Sequence, residues 1–301
     1  MSVQGSACAK TILFGEHAVV YDEPAIAVPI TNTRTIAIIQ NNNKPFRIIS
    51  EKIHLNKSFD ELIPGSGLQV LLRNIREYFG LEELPKAALR IRSDIPIASG
   101  LGSGAALSVA IIRAFADYFD RILPVETVNK IAYEVEKVYH GTPSGIDNTT
   151  IAYEQAIIFS RSSGFSPLNA DIGKLNLLVI DSGIRSRTID VVSDVRANFS
   201  QNEPYIREIG ALVRSSVEFL KTGDAAEIGR MMNENQQLLR KIDVSRLELD
   251  EIIEMGLSHG ALGGKLTGAG RGGNILVLAR DKEQADHLKQ LYTSRRLKVI
   301  L

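Results

Sequence analysis

The segment Pro96-Ile97-Ala98-Ser99-Gly100-Leu101-Gly102-Ser103-Gly104-Ala105-Ala106 constrains this chain more than any other. It joins a strand-like run, Ala88 to Ile91, to an apolar-faced stretch from Ala105 to about Phe119, and so reads as a glycine loop opening a helix. Glycines at 100, 102 and 104 let the backbone turn tightly and let a ligand approach with no Cβ in the way. The unbonded N–H groups of the first helical turn, with the helix dipole behind them, then offer partial positive charge, and phosphate is the expected guest. The same pattern also serves close packing of a helix on a sheet. No Lys-Ser or Lys-Thr pair follows the glycines, and no acidic ribose partner follows a Rossmann-type turn, so neither common nucleotide fingerprint applies. The rest of the chain has to decide.

At 301 residues the chain buries a sizeable core and has the length of two ordinary lobes. Its 35 basic residues balance 35 acidic ones, and with no basic tract nothing points to nucleic acid or an anionic membrane surface as partner. Cys8 is the only cysteine, which excludes an intramolecular disulfide and a cysteine-rich zinc site and fits a reducing compartment; it reads as a small core residue. The start MSVQGSACAK lacks the basic head and apolar middle of a signal peptide, and no charge-free apolar run approaches the roughly 20 residues that span a bilayer. A soluble, cytoplasmic protein is the expectation.

Residues 6–14 and 24–40 are strand-like, and Asn41 to Pro45 reads as a turn. Residues 65–80 carry Leu68, Leu71, Leu72, Ile75 and Phe79 at helical spacing, and another helix is expected from Val125 to Val138. The stretch from Ser160 to Pro167 is the candidate domain boundary, giving lobes of 1–165 and 166–301. Beyond it come a strand over 175–180, helices near 187–199, 204–221, 224–241 and 247–259, and a glycine loop at Gly263 that feeds an apolar strand up to Leu278. Strands and helices mix without regular alternation, which predicts α+β rather than a doubly wound sheet.

Three further segments carry chemistry. Lys10 stands inside an apolar strand, where an ammonium group is costly unless something anionic meets it; Glu16 and His17 follow just after Gly15. The turn His140-Gly141-Thr142-Pro143-Ser144-Gly145-Ile146-Asp147-Asn148 delivers Asp147 at a rigid point, where it could orient a substrate hydroxyl or simply cap a helix. Glu136, late in the preceding helix, opposes the helix dipole; a magnesium ion is one reason for an acid there and solvent is the other. Lys265-Leu266-Thr267-Gly268-Ala269-Gly270-Arg271-Gly272-Gly273-Asn274 is a third loop, either a plain hairpin connection or a cradle in which Arg271 clamps a phosphate.

In this order, Ala9 to Val20, Pro96 to Ala106 and Lys265 to Asn274 resemble the three motifs of the GHMP kinases, and the likeness spans nearly the whole chain. It implies a two-lobed α+β fold, with an N-terminal lobe like ribosomal protein S5 domain 2 and a ferredoxin-like C-terminal lobe. It also implies ATP-dependent phosphorylation of a small alcohol. Gly15 to Val20, His140 to Asn148 and Asn235 to Leu239 most resemble members acting on the C5 hydroxyl of mevalonate. By the same resemblance Asp147 and Lys10 are catalytic, Glu16, His17 and Thr188 lie at the substrate, and Ser99, Gly100, Leu101, Gly102, Ser103 and Gly104 hold the nucleotide phosphates. Glu136 binds Mg²⁺, with Ser103, another hydroxyl or a water in place of the serine the family usually has at 104. A homodimer is implied as well.

The chain departs from the pattern in four places: Gly104, Glu154-Gln155 where two glycines are usual, Arg271 for a glycine of the third loop, and Asp243 before Val244. The alternatives are a sister kinase for another small alcohol (phosphomevalonate, a sugar or homoserine) and a nucleotide-binding pseudokinase. A phosphorylated acceptor needs cationic groups at its phosphate, and Arg185, Arg187 and Arg271 are the residues to locate.

Overall fold

The structure, a computed structural model, describes residues 2–97, 99–141 and 143–301. Ala98 of the glycine loop, Thr142 of the turn before Asp147 and the side chain of His140 lie outside the described residues. In chain order the elements are β1 (Ser2–Phe14), β2 (Ala25–Asn41), β3 (Arg47–Ser50), β4 (Leu55–Ser58), α1 (Gly67–Phe79), β5 (Ala87–Ser93), α2 (Ser103–Tyr118), α3 (Val125–His140) and α4 (Ile146–Tyr153). They continue with β6 (Ile157–Ser160), β7 (Gly164–Pro167), β8 (Asn176–Asp181), α5 (Thr188–Ala197), α6 (Phe199–Thr222), α7 (Ala225–Lys241) and α8 (Leu247–Ser258). The last are β9 (Gly263–Thr267), β10 (Asn274–Ala279), α9 (Lys282–Ser294) and β11 (Lys298–Val299). The architecture is α+β, as the irregular alternation predicts.

Contacts divide the chain into two units that are discontinuous in sequence. One comprises residues up to Ala9, Ile30–Pro96 and Gly102–Glu154. In it the later part of β2 pairs antiparallel with β5, from Thr35 opposite Ser93 to Asn41 opposite Ala87; β5 runs parallel to β3, and β3 antiparallel to β4. Helix α2 packs on α3 and α4, and α1 on α3. Burial of Ala105, Ala106, Val109, Ile112 and Phe115 marks α2 as the central helix. Small residues permit close approach: a Cβ on Gly5 of β1 would lie 2.2 Å from the Ala110 carbonyl oxygen, so only glycine fits. Cys8 is fully buried, and burial, with the Glu154 charge adding to it, pushes its thiol up to about 11, which fits a core residue rather than a nucleophile.

The other unit comprises Lys10–Pro29, Ile97–Leu101 and Gln155–Leu301. Its four-stranded antiparallel sheet has the order β11-β8-β10-β9, and β10, buried along its length, pairs with both β8 and β9. Helices α7 and α8 pack on β9, and α9 packs on β8 and β10. One sequence expectation changes here, at the third loop. Residues 160–167, read as a domain boundary, belong to the β6–β7 hairpin, with Ser160 opposite Gly164 and Ile157 opposite Pro167. Residues 10–29 and 97–101 group with 155–301. The third loop connects two strands rather than feeding one, because Gly263–Thr267, glycine-rich and carrying a lysine, is itself a fully buried strand. Among the described residues no helix is long and apolar enough to cross a membrane.

Candidate active site

In the first unit the glycine loop ends at Gly102, which takes the left-handed conformation (φ 71°) and caps α2, so that Ser103 is the first helical residue. The helical ladder begins with Ala106 N–H to the Gly102 carbonyl at 2.9 Å, which leaves the N–H groups of the first turn to be met by other acceptors. Ser103 and Gly104 are both half-buried. Glu136, on α3, is 4 % exposed, and its Oε1 lies 3.2 Å from where a Cβ on Gly104 would stand. The Glu136 carboxylate and the glycine at 104 are therefore neighbours. Serine at 104 is tight but sterically within reach.

Asp147 sits in the first turn of α4, half-buried, behind Gly145 (φ 94°) as cap. Its flanks are locked. Asn148 Nδ2 donates to Asn129 Oδ1 at 2.6 Å, Asn129 Nδ2 donates to Thr149 Oγ1 at 3.2 Å, and Thr150 Oγ1 donates to the Ile146 carbonyl at 2.8 Å. These bonds tie the N-terminal half of the short helix to Asn129 of α3.

In the second unit the first and third motifs are laced together with the loop residues Ser99 to Leu101. Lys10 is 2 % exposed and its N–H donates to the Leu101 carbonyl at 3.1 Å. The Thr267 hydroxyl donates to the Ile12 carbonyl (2.9 Å) and accepts from Ile12 N–H (3.1 Å), so the Thr11 hydroxyl at 2.9 Å is the donor of that pair. Asn274 Nδ2 donates to the Ser99 carbonyl, and a Cβ on Gly273 would stand 3.0 Å from that same oxygen. Glycine at 273 (φ 79°) is what lets the two loops run side by side.

Glu16 and His17 are buried rather than open to solvent. Glu16 is fully buried in an ion pair with Lys265, itself fully buried, whose ammonium also donates to the Leu266 carbonyl at 2.7 Å. Burial pushes Glu16 up and Lys265 down, and the attraction between them opposes both shifts. His17 Nε2 donates to the Ala269 carbonyl at 2.8 Å; a carbonyl only accepts, so the ring carries its proton on Nε2. Burial lowers the His17 pKa from the usual 6.5 to about 4, against the opposing pull of the Ala269 bond. The unfolded chain therefore takes up a proton below about 6.5 that the folded one refuses, and His17 supplies stability that is complete above 6.5 and lost as pH falls towards 4. The shift corresponds to about 3 kcal/mol at most. His17→Gln, which keeps a donor for Ala269, is expected to lose less stability than the parent between pH 7 and 4.5; equal losses in urea titrations at the two pH values would contradict this.

Thr188 opens α5 and is exposed. The three arginines singled out from sequence all face carboxylates. Arg185 forms a two-pronged pair with Asp181 (2.7 and 2.9 Å), Arg187 lies 3.6 Å from Asp190, and Arg271 bridges Asp194 and Asp243. The sequence reading missed Lys265 as the partner of Glu16, although the desolvation argument applied to Lys10 applies equally to a lysine between Gly264 and Leu266. It also missed Thr267 and Asn274 as ties between loops, for which an isolated threonine or asparagine carries no signal.

The family model for the GHMP kinases N terminal domain matches residues 66–155, and that for the GHMP kinases C terminal domain matches 216–292. The chain belongs to the GHMP kinases, ATP-dependent kinases of small molecules. Among curated relatives, it is 35 % identical to the mevalonate kinase of Thermococcus sibiricus, over 94 % of this chain and 91 % of that one. It is 30 % identical to the mevalonate kinase of Methanocaldococcus jannaschii, over 94 % and 93 %. Among solved structures, the Methanococcus jannaschii mevalonate kinase superposes with a TM-score of 0.88 at 25 % identity, covering 100 % of this chain and 96 % of that one. The L. major mevalonate kinase in complex with R-mevalonate gives 0.82 at 30 % identity, covering 97 % and 91 %.

Proposed function

We propose that this chain is a mevalonate kinase, moving the γ-phosphoryl group of ATP to the C5 hydroxyl of (R)-mevalonate to give 5-phosphomevalonate and ADP in isoprenoid biosynthesis. The observation that carries the reading is the likeness, over 97 % of this chain, to the L. major enzyme whose structure holds R-mevalonate. The hydrogen-bonded carboxylates facing Arg185 and Arg271 add to it, since a phosphorylated acceptor calls for cations not already committed to acids.

Phosphoryl transfer asks a protein for alignment and charge neutralisation more than for covalent chemistry. Asp147 orients the acceptor hydroxyl and takes its proton, and Lys10 stabilises the charge that develops on the reacting oxygen. Ser99 to Gly104 hold the phosphates through backbone N–H groups. Glu16 and His17 serve the acceptor through the third motif to which they are bonded, and Thr188 meets it from the start of α5. Among the described residues no cluster of three His, Cys, Asp or Glu side chains forms a metal site. The buried carboxylate of Glu136 beside residue 104, with the Ser103 hydroxyl, suits Mg²⁺ arriving on a nucleotide, because that ion takes one or two carboxylates and fills its octahedron with phosphate oxygens and water. When bound, the ion neutralises charge on the phosphate oxygens. A cytoplasmic location and a homodimer complete the reading by family resemblance.

The test is ADP release from ATP and Mg²⁺ with mevalonate, 5-phosphomevalonate, galactose and homoserine as acceptors. Turnover with mevalonate alone is expected; turnover with another acceptor moves the substrate, and none with any acceptor makes the chain a pseudokinase. The missing serine has its own consequence. Gly104→Ser is expected to lower the Mg²⁺ concentration for half-maximal turnover by roughly three- to tenfold, whereas Gly104→Ala, with no hydroxyl, gives no such gain. Equal behaviour of the two variants would place the ion away from 104.

A further inference from the structure

The residue at the far end of α4 from Asp147 is Glu154, and its backbone is unusual. It lies in the left-handed region (φ 48°, ψ 40°), where a side chain is strained and glycine is not. A non-glycine residue there needs a compensating reason. Two arginines supply one. Arg34 of β2 reaches both carboxylate oxygens of Glu154, Nη2 to Oε1 at 2.8 Å and Nη1 to Oε2 at 3.1 Å, and Arg113 of α2 donates to Oε1 as well.

The arginines are tied in turn to the elements around the helix. Arg113 donates from Nη2 to the Ala152 carbonyl (2.8 Å), one of the acceptors left over at the end of α4, and from Nη1 to the Ser6 carbonyl (2.7 Å). Arg34 Nη2 also donates to Ser6 Oγ at 3.1 Å. Burial alone would raise the Glu154 pKa, but the bonds from Arg34 and Arg113 outweigh it and hold the carboxyl below its usual range, so the clamp is ionic at neutral pH. Glu154 thus fastens the end of α4 to β2 and to the helix that begins at Ser103, and the two arginines carry the tie on to Ser6 of β1.

We propose that Glu154 is a positioning residue for phosphoryl transfer: its clamp to Arg34 and Arg113 sets α4 against α2 and thereby the placement of the Asp147 carboxylate. This rests on Asp147 being the residue that handles the acceptor hydroxyl. An eight-residue helix with Asp147 in its first turn transmits a shift at its end directly, and small misplacements of a reacting group from a distance lower rates steeply.

Glu154→Gly separates positioning from stability, because it removes the clamp and relieves the left-handed strain in the same substitution. The side chains of Arg34 and Arg113 are each 30 % exposed, so their freed charges are met by water. The expected result is a fall in kcat with mevalonate of roughly 10- to 100-fold, with the KM for ATP changed less than about threefold and the melting temperature nearly unchanged. Glu154→Gln, which keeps the length and one acceptor, is expected to lie between Glu154→Gly and the parent, and serves if the glycine variant folds poorly. In an Asp147→Asn background Glu154→Gly is expected to slow the reaction no further, which a merely structural role would not produce. Parental kcat in both single variants, a loss that follows the amount of folded protein, or additive losses in the double variant would each overturn the proposal. A parent enzyme silent with mevalonate would instead overturn the functional reading on which it rests.

Discussion

Replacing Asp147 with asparagine is expected to cut kcat with mevalonate by about 10²- to 10⁴-fold, the range that a positioned general base contributes. Asparagine keeps the size and one acceptor oxygen of the carboxylate but cannot take a proton and carries no charge. The substitution should leave the helix in place. Neighbouring Asn148 and Thr149 are held to Asn129, and Thr150 bonds back to Ile146, so the start of the helix has supports that the substitution leaves intact. KM values for ATP and mevalonate are therefore expected to stay within about threefold, since the interaction removed is made in the transition state rather than in binding. ADP release at saturating substrate is the measurement. A kcat within tenfold of the parent would mean that Asp147 only helps to shape the pocket and that the proton leaves by another route.

Lys265→Met is expected to produce the largest loss of stability. Both members of the Glu16–Lys265 pair are fully buried, and the ammonium also donates to the Leu266 carbonyl. Removing the lysine leaves a carboxylate in the interior with no counter-charge from residue 265, and breaking a buried pair in this way costs about 3–5 kcal/mol. In a unit of this size that is a fall in Tm of about 10 °C. The double variant Glu16→Leu with Lys265→Met removes both charges and is expected to regain most of the loss, because the desolvation of the pair offsets much of its attraction. A single variant that melts within about 2 °C of the parent would mean that water reaches the pair in solution.

The difference between local and distant information explains what could be read from the chain in advance. The helix of residues 65–80 was legible because its apolar residues repeat at helical spacing and Gly80, at φ 65°, stops it; both signals lie within one segment. The glycine loop before α2 was legible for the same reason: three glycines followed by an apolar face describe a helix start with no knowledge of the rest of the molecule. Strand β9 was not, since two glycines, a lysine and a threonine in five residues look like a loop until β10 pairs along them and α7 and α8 cover them. The hairpin at 157–167 was not legible as one, because serine and glycine mark a turn without saying whether the chain that follows pairs with the chain before it.

The candidate site divides along the same line. Residue types and order alone marked Lys10, Glu136 and Asp147, because each is a charged group in a local context that makes it costly or rigid. What each charge faces was decided by the tertiary structure. Glu16 meets Lys265 across 249 positions of sequence. Arg271, a phosphate clamp by composition, is taken up by Asp194 and Asp243. Glu154, a departure from pattern with no visible purpose in the sequence, gains one only beside Arg34 and Arg113. Backbone preference and hydrophobic period act over a few residues and are written in order along the chain. Charge compensation acts through space, between groups that only folding brings within a few ångströms of one another.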